Sequence, residues 1–262
     1  MNTNAVVPFV FGGNKNMEQL NTHYVRVANH LDDAQRPLKP FSRPTAVVYS
    51  GIPELDELIG GLHVGKVTAF VGRSKLLLTL FHRVCVNAFD LFHSPTIVLD
   101  AGNQLNPFLL ARFARMNMIS SEELLKQVYL SRACTVYQLT DLIHSYVELL
   151  IQQVNPVTIV LTGLFSLLDD ADVSREEADQ LLQIVMKQLK QMTTTYQVAM
   201  ILIDRTYGEY EIAEFDGLID TTVQVQDMRN CPRITVIQKN QQITVTSETV
   251  GQLCLQDFGM VM

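Results

Sequence analysis

The sequence contains no tryptophan and only four cysteines among 262 residues, and charged residues make up just 18% of it. Cys85, Cys134, Cys231 and Cys254 lie far apart and form no CxxC pair. That spacing excludes a disulfide scaffold and a cysteine-rich zinc site. It reads as reduced, mostly buried thiols of a cytoplasmic protein. Glycine and proline, at 13 and 9 residues, are too few for a collagen-like or low-complexity chain. An excess of positive charge is also missing: the net charge is −7, which argues against a generally basic nucleic-acid binder. Long hydrophobic runs are absent as well. The longest uncharged apolar stretch, 154–168, is shorter than a membrane span and is interrupted by Asn155 and Pro156. Residues 6–11 are too short for the core of a signal peptide, and no basic stretch precedes them. No targeting or membrane segment is expected.

What is present is apolar: 47% of the chain, enough for one large core or two small ones. Residues 1–46 stand apart, with five basic and three acidic residues. Met17, Leu20, Tyr24, Ala28 and Leu31 recur at three- and four-residue steps, which puts them on one face of a helix. Pro37, Pro40 and Pro44 then stop it and extend the chain. The expectation for 1–46 is an arm, an amphipathic helix and a proline-punctuated tether, with 47–262 as the core domain. The helix packs either on its own domain or on a partner, with Met17, Leu20, Tyr24, Leu31 and the linker residue Phe41 as the interface in the second case.

From residue 47, short apolar runs alternate with amphipathic stretches. The segments 67–71, 96–100, 128–131, 157–161 and 198–203 are β-branched and nearly continuous, as strands buried on both faces are. Helical patterns fall at 76–89, 107–116, 139–153 and 175–194. Such alternation predicts an α/β fold with a mostly parallel twisted sheet flanked by helices. After Asp220 come close-set strands at 221–226, 234–238, 243–245 and 252–255 without helices between them, which predicts an antiparallel C-terminal edge.

Two segments carry a resemblance. Ser50-Gly51-Ile52-Pro53-Glu54-Leu55-Asp56 runs through Gly60-Gly61 towards the first core strand, and Gly72-Arg73-Ser74-Lys75-Leu76-Leu77-Leu78-Thr79 follows that strand. Together with Ile97-Val98-Leu99-Asp100 and the late segments 219–225 and 233–236, they resemble the RecA/RadA recombinase and KaiC-like ATPase superfamily over about 47–262. The resemblance implies a RecA-like core and a phosphate-binding loop after the first strand. Yet Leu77 and Leu78 stand where that loop needs its second glycine and its lysine. Glycine lets successive N–H groups point at phosphate, and lysine neutralises it. Only Gly72, Lys75 and Thr79 remain of the loop. The metal-supporting aspartate aligns with Thr162, the catalytic glutamate aligns near Gly102, and Asp100 takes the place of a structural aspartate. Hydrolysis needs phosphate positioning, Mg²⁺ and an oriented water.

These losses predict a pseudo-ATPase with no catalytic residues, no cofactor and no metal, acting by protein–protein association with a RecA-family protein or with itself in DNA recombination or repair. Two alternatives stay open: an ATP- and Mg²⁺-binding member with an atypical loop, and an unrelated scaffold on the same fold. DNA contact is expected to be weak or indirect. In recombinases DNA lies along loops that here contain 169–177 and 206–216, and residues 165–220 hold 12 acidic against 4 basic side chains. Tyr207, Tyr210 and Phe215 offer stacking surfaces, but acids alternate with them. His23, His30, His63, His82, His93 and His144 show no metal-ligand spacing.

Overall fold

A computed structural model of the chain describes residues 9–10, 46–205, 217–227, 232–238 and 241–246. Its elements, in order, are β1 (Phe9–Val10), β2 (Val47–Val48), α1 (Pro53–Ile59), β3 (Leu62–His63), β4 (Val67–Val71), α2 (Leu76–Phe92), β5 (Thr96–Asp100), α3 (Pro107–Met116), α4 (Ser121–Lys126), β6 (Val128–Arg132) and α5 (Val136–Leu142). After a π-helical turn at Ile143–Val147 come α6 (Glu148–Val154), β7 (Thr158–Thr162), α7 (Leu164–Leu168), α8 (Arg175–Tyr196), β8 (Ala199–Asp204), β9 (Thr221–Asp227), β10 (Pro232–Gln238) and β11 (Gln241–Thr246).

Nine strands form one sheet in the order β1-β6-β5-β7-β8-β4-β9-β10-β11. The pairs joining β6, β5, β7, β8, β4 and β9 are all parallel. The protein is therefore α/β, with a mostly parallel sheet, helices on both faces and an antiparallel edge. The expected antiparallel C-terminal edge is present, formed by β9, β10 and β11. β9 still runs parallel to β4, and the antiparallel pairing starts only with β10. A second antiparallel edge lies at the other end, where β1 pairs with β6. That pairing brings Phe9–Val10, part of the expected arm, into the core sheet.

The period-two geometry of a strand explains the two cores. Val67, Ala69 and Val71 of β4, Ile97 and Leu99 of β5, and Ile159 and Leu161 of β7 face α5–α8. Phe70, Val98 and Val160, one residue out of step, face α1–α4. All five residues of β4, β5 and β7 are buried, so the runs read as continuously apolar.

The segment 50–62 folds into a compact lead-in. Asp56 of α1 accepts the Ser50 N–H at 2.7 Å, closing the chain back on itself. Gly60 caps the helix in the left-handed region (φ 73°) and Gly61 follows at φ 79°. A side chain at Gly61 would begin 2.4 Å from the Val47 Cγ1 atom, so the double glycine lets β3 pair tightly with β2. Among the described residues, no helix is long and apolar enough to cross a membrane.

Candidate functional site

In open parallel sheets the ligand crevice lies at the carboxyl ends of the strands, where helix N-termini and loops converge. Here three aspartates close those ends: Asp227 at the end of β9, Asp100 at the end of β5 and Asp204 at the end of β8.

The loop after β4 is short. Gly72 (φ 129°) donates its N–H to the Asp204 carbonyl at 3.1 Å. A Cβ on Gly72 would fall 2.1 Å from the Val225 carbonyl oxygen, so the loop lies against the backbone of β9. Asp227, the last residue of β9, accepts the Ser74 hydroxyl at 2.6 Å and the Lys75 N–H at 3.1 Å. Ser74 is itself fully buried, and its oxygen accepts the Leu76 N–H at 3.1 Å. A carboxylate thus sits at the amino end of α2, where the exposed N–H groups favour negative charge.

α2 starts at Leu76, before the two leucines that replace the expected glycine and lysine. Leu76 and Leu77 are buried in the core beneath the loop. Thr79 is also fully buried and donates its hydroxyl to the Leu76 carbonyl at 3.1 Å. Lys75 is exposed. Gly72, Lys75 and Thr79 therefore sit on one loop and helix start, with the Thr79 hydroxyl turned to its own helix.

At the end of β5, the buried Asp100 carboxylate accepts the N–H groups of Gln104 at 2.8 Å and Leu105 at 3.1 Å. Across the sheet it also accepts the Thr162 hydroxyl at 2.8 Å, and Arg132 stands 3.7 Å away. The Thr162 hydroxyl is spent on this bond. Gly163 is left-handed (φ 74°), and a Cβ there would lie 2.4 Å from the Gly102 nitrogen. The ends of β5 and β7 are therefore joined through backbone at the position read for a catalytic glutamate. After β8, the buried Asp204 accepts the Phe165 N–H at 2.7 Å and faces the Ser166 hydroxyl.

Sequence reading singled out Asp100 and Thr162 but missed Ser74, Asp204 and Asp227. Asp204 had a signal, an acid ending a six-residue apolar strand. Asp227 had none, because its partners lie 152 and 153 residues away in the chain. The interface residues Met17, Leu20, Tyr24, Leu31 and Phe41 lie outside the described residues, as do Ala28, Tyr207, Tyr210, Phe215 and the strand expected at 252–255. Of the two acidic loops, 169–177 is described: the Tyr137 hydroxyl donates to Glu177 at 2.9 Å, and Asp170 accepts the Asp172 N–H at 3.1 Å. Cys85 is buried and unpaired, and burial pushes its thiol up to about 12, whereas Cys134 is exposed and unpaired. Cys231 and Cys254 lie outside the described residues. Among the described residues, no group of three or more His, Cys, Asp or Glu side chains could hold a metal ion.

His82 is fully buried on α2, not partly exposed as an amphipathic helix suggests. Its Nε2 accepts the N–H of Asn106, the residue that caps α3. Burial lowers its pKa to about 4, with the Leu78 carbonyl and Asp100 pulling the other way. A depressed histidine favours the neutral native form. The stability it supplies is complete above the ordinary value of 6.5 and is lost as pH falls towards 4. The loss amounts to about 3 kcal/mol. Urea unfolding at pH 7 and pH 4.5 is expected to show a steeper loss for the wild type than for His82→Gln, the other titrating groups being common to both. Equal slopes would refute this.

The fold and the site together define an α/β protein whose sheet ends, at the usual ligand crevice, are tied by internal hydrogen bonds. No protein-family model and no curated protein matches the chain.

Proposed function

We propose that this chain is a non-catalytic RecA/RadA-like paralogue, a pseudo-ATPase that works in the cytoplasm by associating with a RecA-family protein or with itself in DNA recombination or repair. One observation carries the loss of nucleotide chemistry. The Asp227 carboxylate occupies the Ser74 hydroxyl and the Lys75 N–H, the donors that a phosphate at this loop would need. A polyphosphate entering there meets a fixed negative charge and no lysine at position 78 to offset it. The Thr162 hydroxyl is committed to Asp100, and Gly102 provides no base to orient a water. The ordered motif remnants from Ser50 to 236 support the superfamily assignment. The unpaired Cys85 and Cys134 are in keeping with a reducing compartment.

Titration of the protein with a fluorescent ATP analogue in Mg²⁺ is expected to give no saturable signal, and incubation with ATP no phosphate release. Turnover that disappears in Thr79→Ala would overturn the reading. Association is tested separately, by purifying the native protein with its partners and asking whether a RecA-family protein accompanies it. Because β1 belongs to the core sheet, the arm is better probed by Leu20→Asp and Tyr24→Ala than by truncation. Loss of the partner in these variants, with unchanged unfolding, supports the arm as the tether.

A further inference from the structure

The outer surface of α3 is apolar and uncovered among the described residues. Phe108 is 86% exposed, Met116 58%, and Met118, just past the helix end, 97%. Phe108, Leu109 and Met116 fall within about 100° of one another around the helix axis, while Leu110, Phe113 and Ala114 turn into the core. Leu109, Ile119 and Leu125 are only partly buried where α3 and α4 meet that core. An apolar patch of this kind marks a contact surface.

Residues 11–45 begin and end beside this patch. β1 runs antiparallel to β6, with Val10 opposite Tyr129, so residue 11 heads past Val128 towards the amino ends of the strands. α3 runs towards the same end, since it follows the carboxyl end of β5 and leads through α4 into the start of β6. Met116 and Met118 therefore lie at the end of the sheet from which residue 11 departs. The described chain resumes at Ala46, which packs on the sheet face that holds Phe70. β2 then leads to Tyr49, whose carbonyl accepts the Asn87 side chain of α2 at 3.0 Å. Between these two ends α4, α3 and α2 stand in a row. Ser121 of α4 donates its hydroxyl to the Ala111 carbonyl of α3 at 3.1 Å, and Nε2 of His82 on α2 accepts the Asn106 N–H at 3.0 Å. The direct path of residues 11–45 crosses α3.

We propose that this segment docks on its own α3, its stripe of Met17, Leu20, Tyr24, Ala28 and Leu31 laid antiparallel along Phe108, Met116 and Met118. The lengths match: as helices, 17–31 spans about 21 Å and 108–118 about 15 Å. Entry at the amino ends of the strands puts Met17 and Leu20 on Met116 and Met118. The rise of about 15 Å to Phe108 then brings up Ala28, small enough to seat the ring. Between Met17 and Leu31 only Glu18 and Arg26 are charged, and neither falls on the stripe. A lone helix of this length is marginal in water, so the stripe gains a surface and α3 a cover. Residues 32–45 reach about 46 Å when extended, enough to cross α3 and α2, which pack about 8–10 Å apart. β1 and β2 anchor both ends of the segment in its own domain, and that tethering favours its own α3 over another copy's. The contact goes beyond the proposed function, in which the arm is a tether: a partner that binds the stripe has to lift it from α3.

Trypsin cleavage after Arg26 in the full chain tests it. The wild type is expected to resist, and Phe108→Asp and Leu20→Asp each to speed the cut about tenfold by opening the contact. The double variant is expected to be cut no faster than either single one, because both remove the same contact. Leu149→Asp, at an exposed apolar site on the opposite face, is expected to leave the rate unchanged. A cut as fast in the wild type as in the variants, or effects that multiply, would overturn the proposal. A photo-reactive residue at position 108 is expected to crosslink to 17–31 of the same chain, as a mixture of isotopically light and heavy chains reveals. Crosslinks to another copy or to a co-purified protein, or none to 17–31, would overturn it as well. Neither measurement involves nucleotide, so failure here leaves the pseudo-ATPase reading standing, and ATP turnover would leave this contact standing.

Discussion

Gly72→Ala is expected to destabilise the protein by roughly 3–5 kcal/mol, enough to remove most of the stability of an ordinary domain. Two costs combine. Its φ of 129° lies in a region that side chains rarely adopt, and the added Cβ would sit 2.1 Å from the Val225 carbonyl oxygen. That oxygen belongs to backbone held in register between β4 and β10, so it cannot swing away as a flexible side chain would. Relief requires β9 to leave β4, which also pulls Asp227 from Ser74 and Lys75. Gly217→Ala isolates the first cost: Gly217 has φ 80° but nothing within 4 Å of its Cβ position, so about 1 kcal/mol is expected. Denaturant midpoints of the two variants decide the matter. Equal losses would show that backbone conformation alone matters at Gly72.

Asp100→Ala is expected to cost about 3–5 kcal/mol, through a different mechanism. The carboxylate collects the N–H groups of Gln104 and Leu105, the Thr162 hydroxyl and the Arg132 guanidinium. Removing it leaves buried donors without an acceptor, and each bears its own desolvation cost, whereas the half-exposed Arg132 turns to water. Thr162→Val removes one donor and keeps the carboxylate on its two N–H groups, so about 1 kcal/mol is expected. Amide exchange at Gln104 and Leu105 adds a local measure: it is expected to accelerate in Asp100→Ala and to change little in Thr162→Val. If both variants lose the same stability, Asp100 does not organise the turn.

Much of the architecture is legible in local pattern. β4, β5, β7 and β8 announce themselves as short, nearly continuous apolar runs because both of their faces meet helices. α3 is bounded by Asn106, whose side chain accepts two N–H groups, followed by Pro107, a pairing that marks a helix start. α8 likewise begins at Ser174, which caps Glu177. α4 is harder to read. Ser120 caps it, but six residues contain too few turns for a periodic signal. The helix expected at 139–153 extends to 136–154 and contains a π-helical turn, which the apolar spacing does not reveal.

The sequence by itself determined the longer strands and helices, though not β1, α4 or α7, and which of their residues turn inward, because spacing along the chain governs facing within a single element. It also determined that leucines stand at positions 77 and 78 in the segment after β4, since those are matters of residue type at position. Only the tertiary structure decided how the sheet is ordered, and that β9 runs parallel to β4 while β10 reverses. Strand direction in a sheet depends on where the intervening chain returns, which alternation within a strand does not encode. Only the tertiary structure, too, brought Asp227 onto Ser74 and Lys75 and Thr162 onto Asp100. Those hydrogen bonds span 152, 153 and 62 residues, and they form because parallel neighbours bring strand ends together at one edge of the sheet.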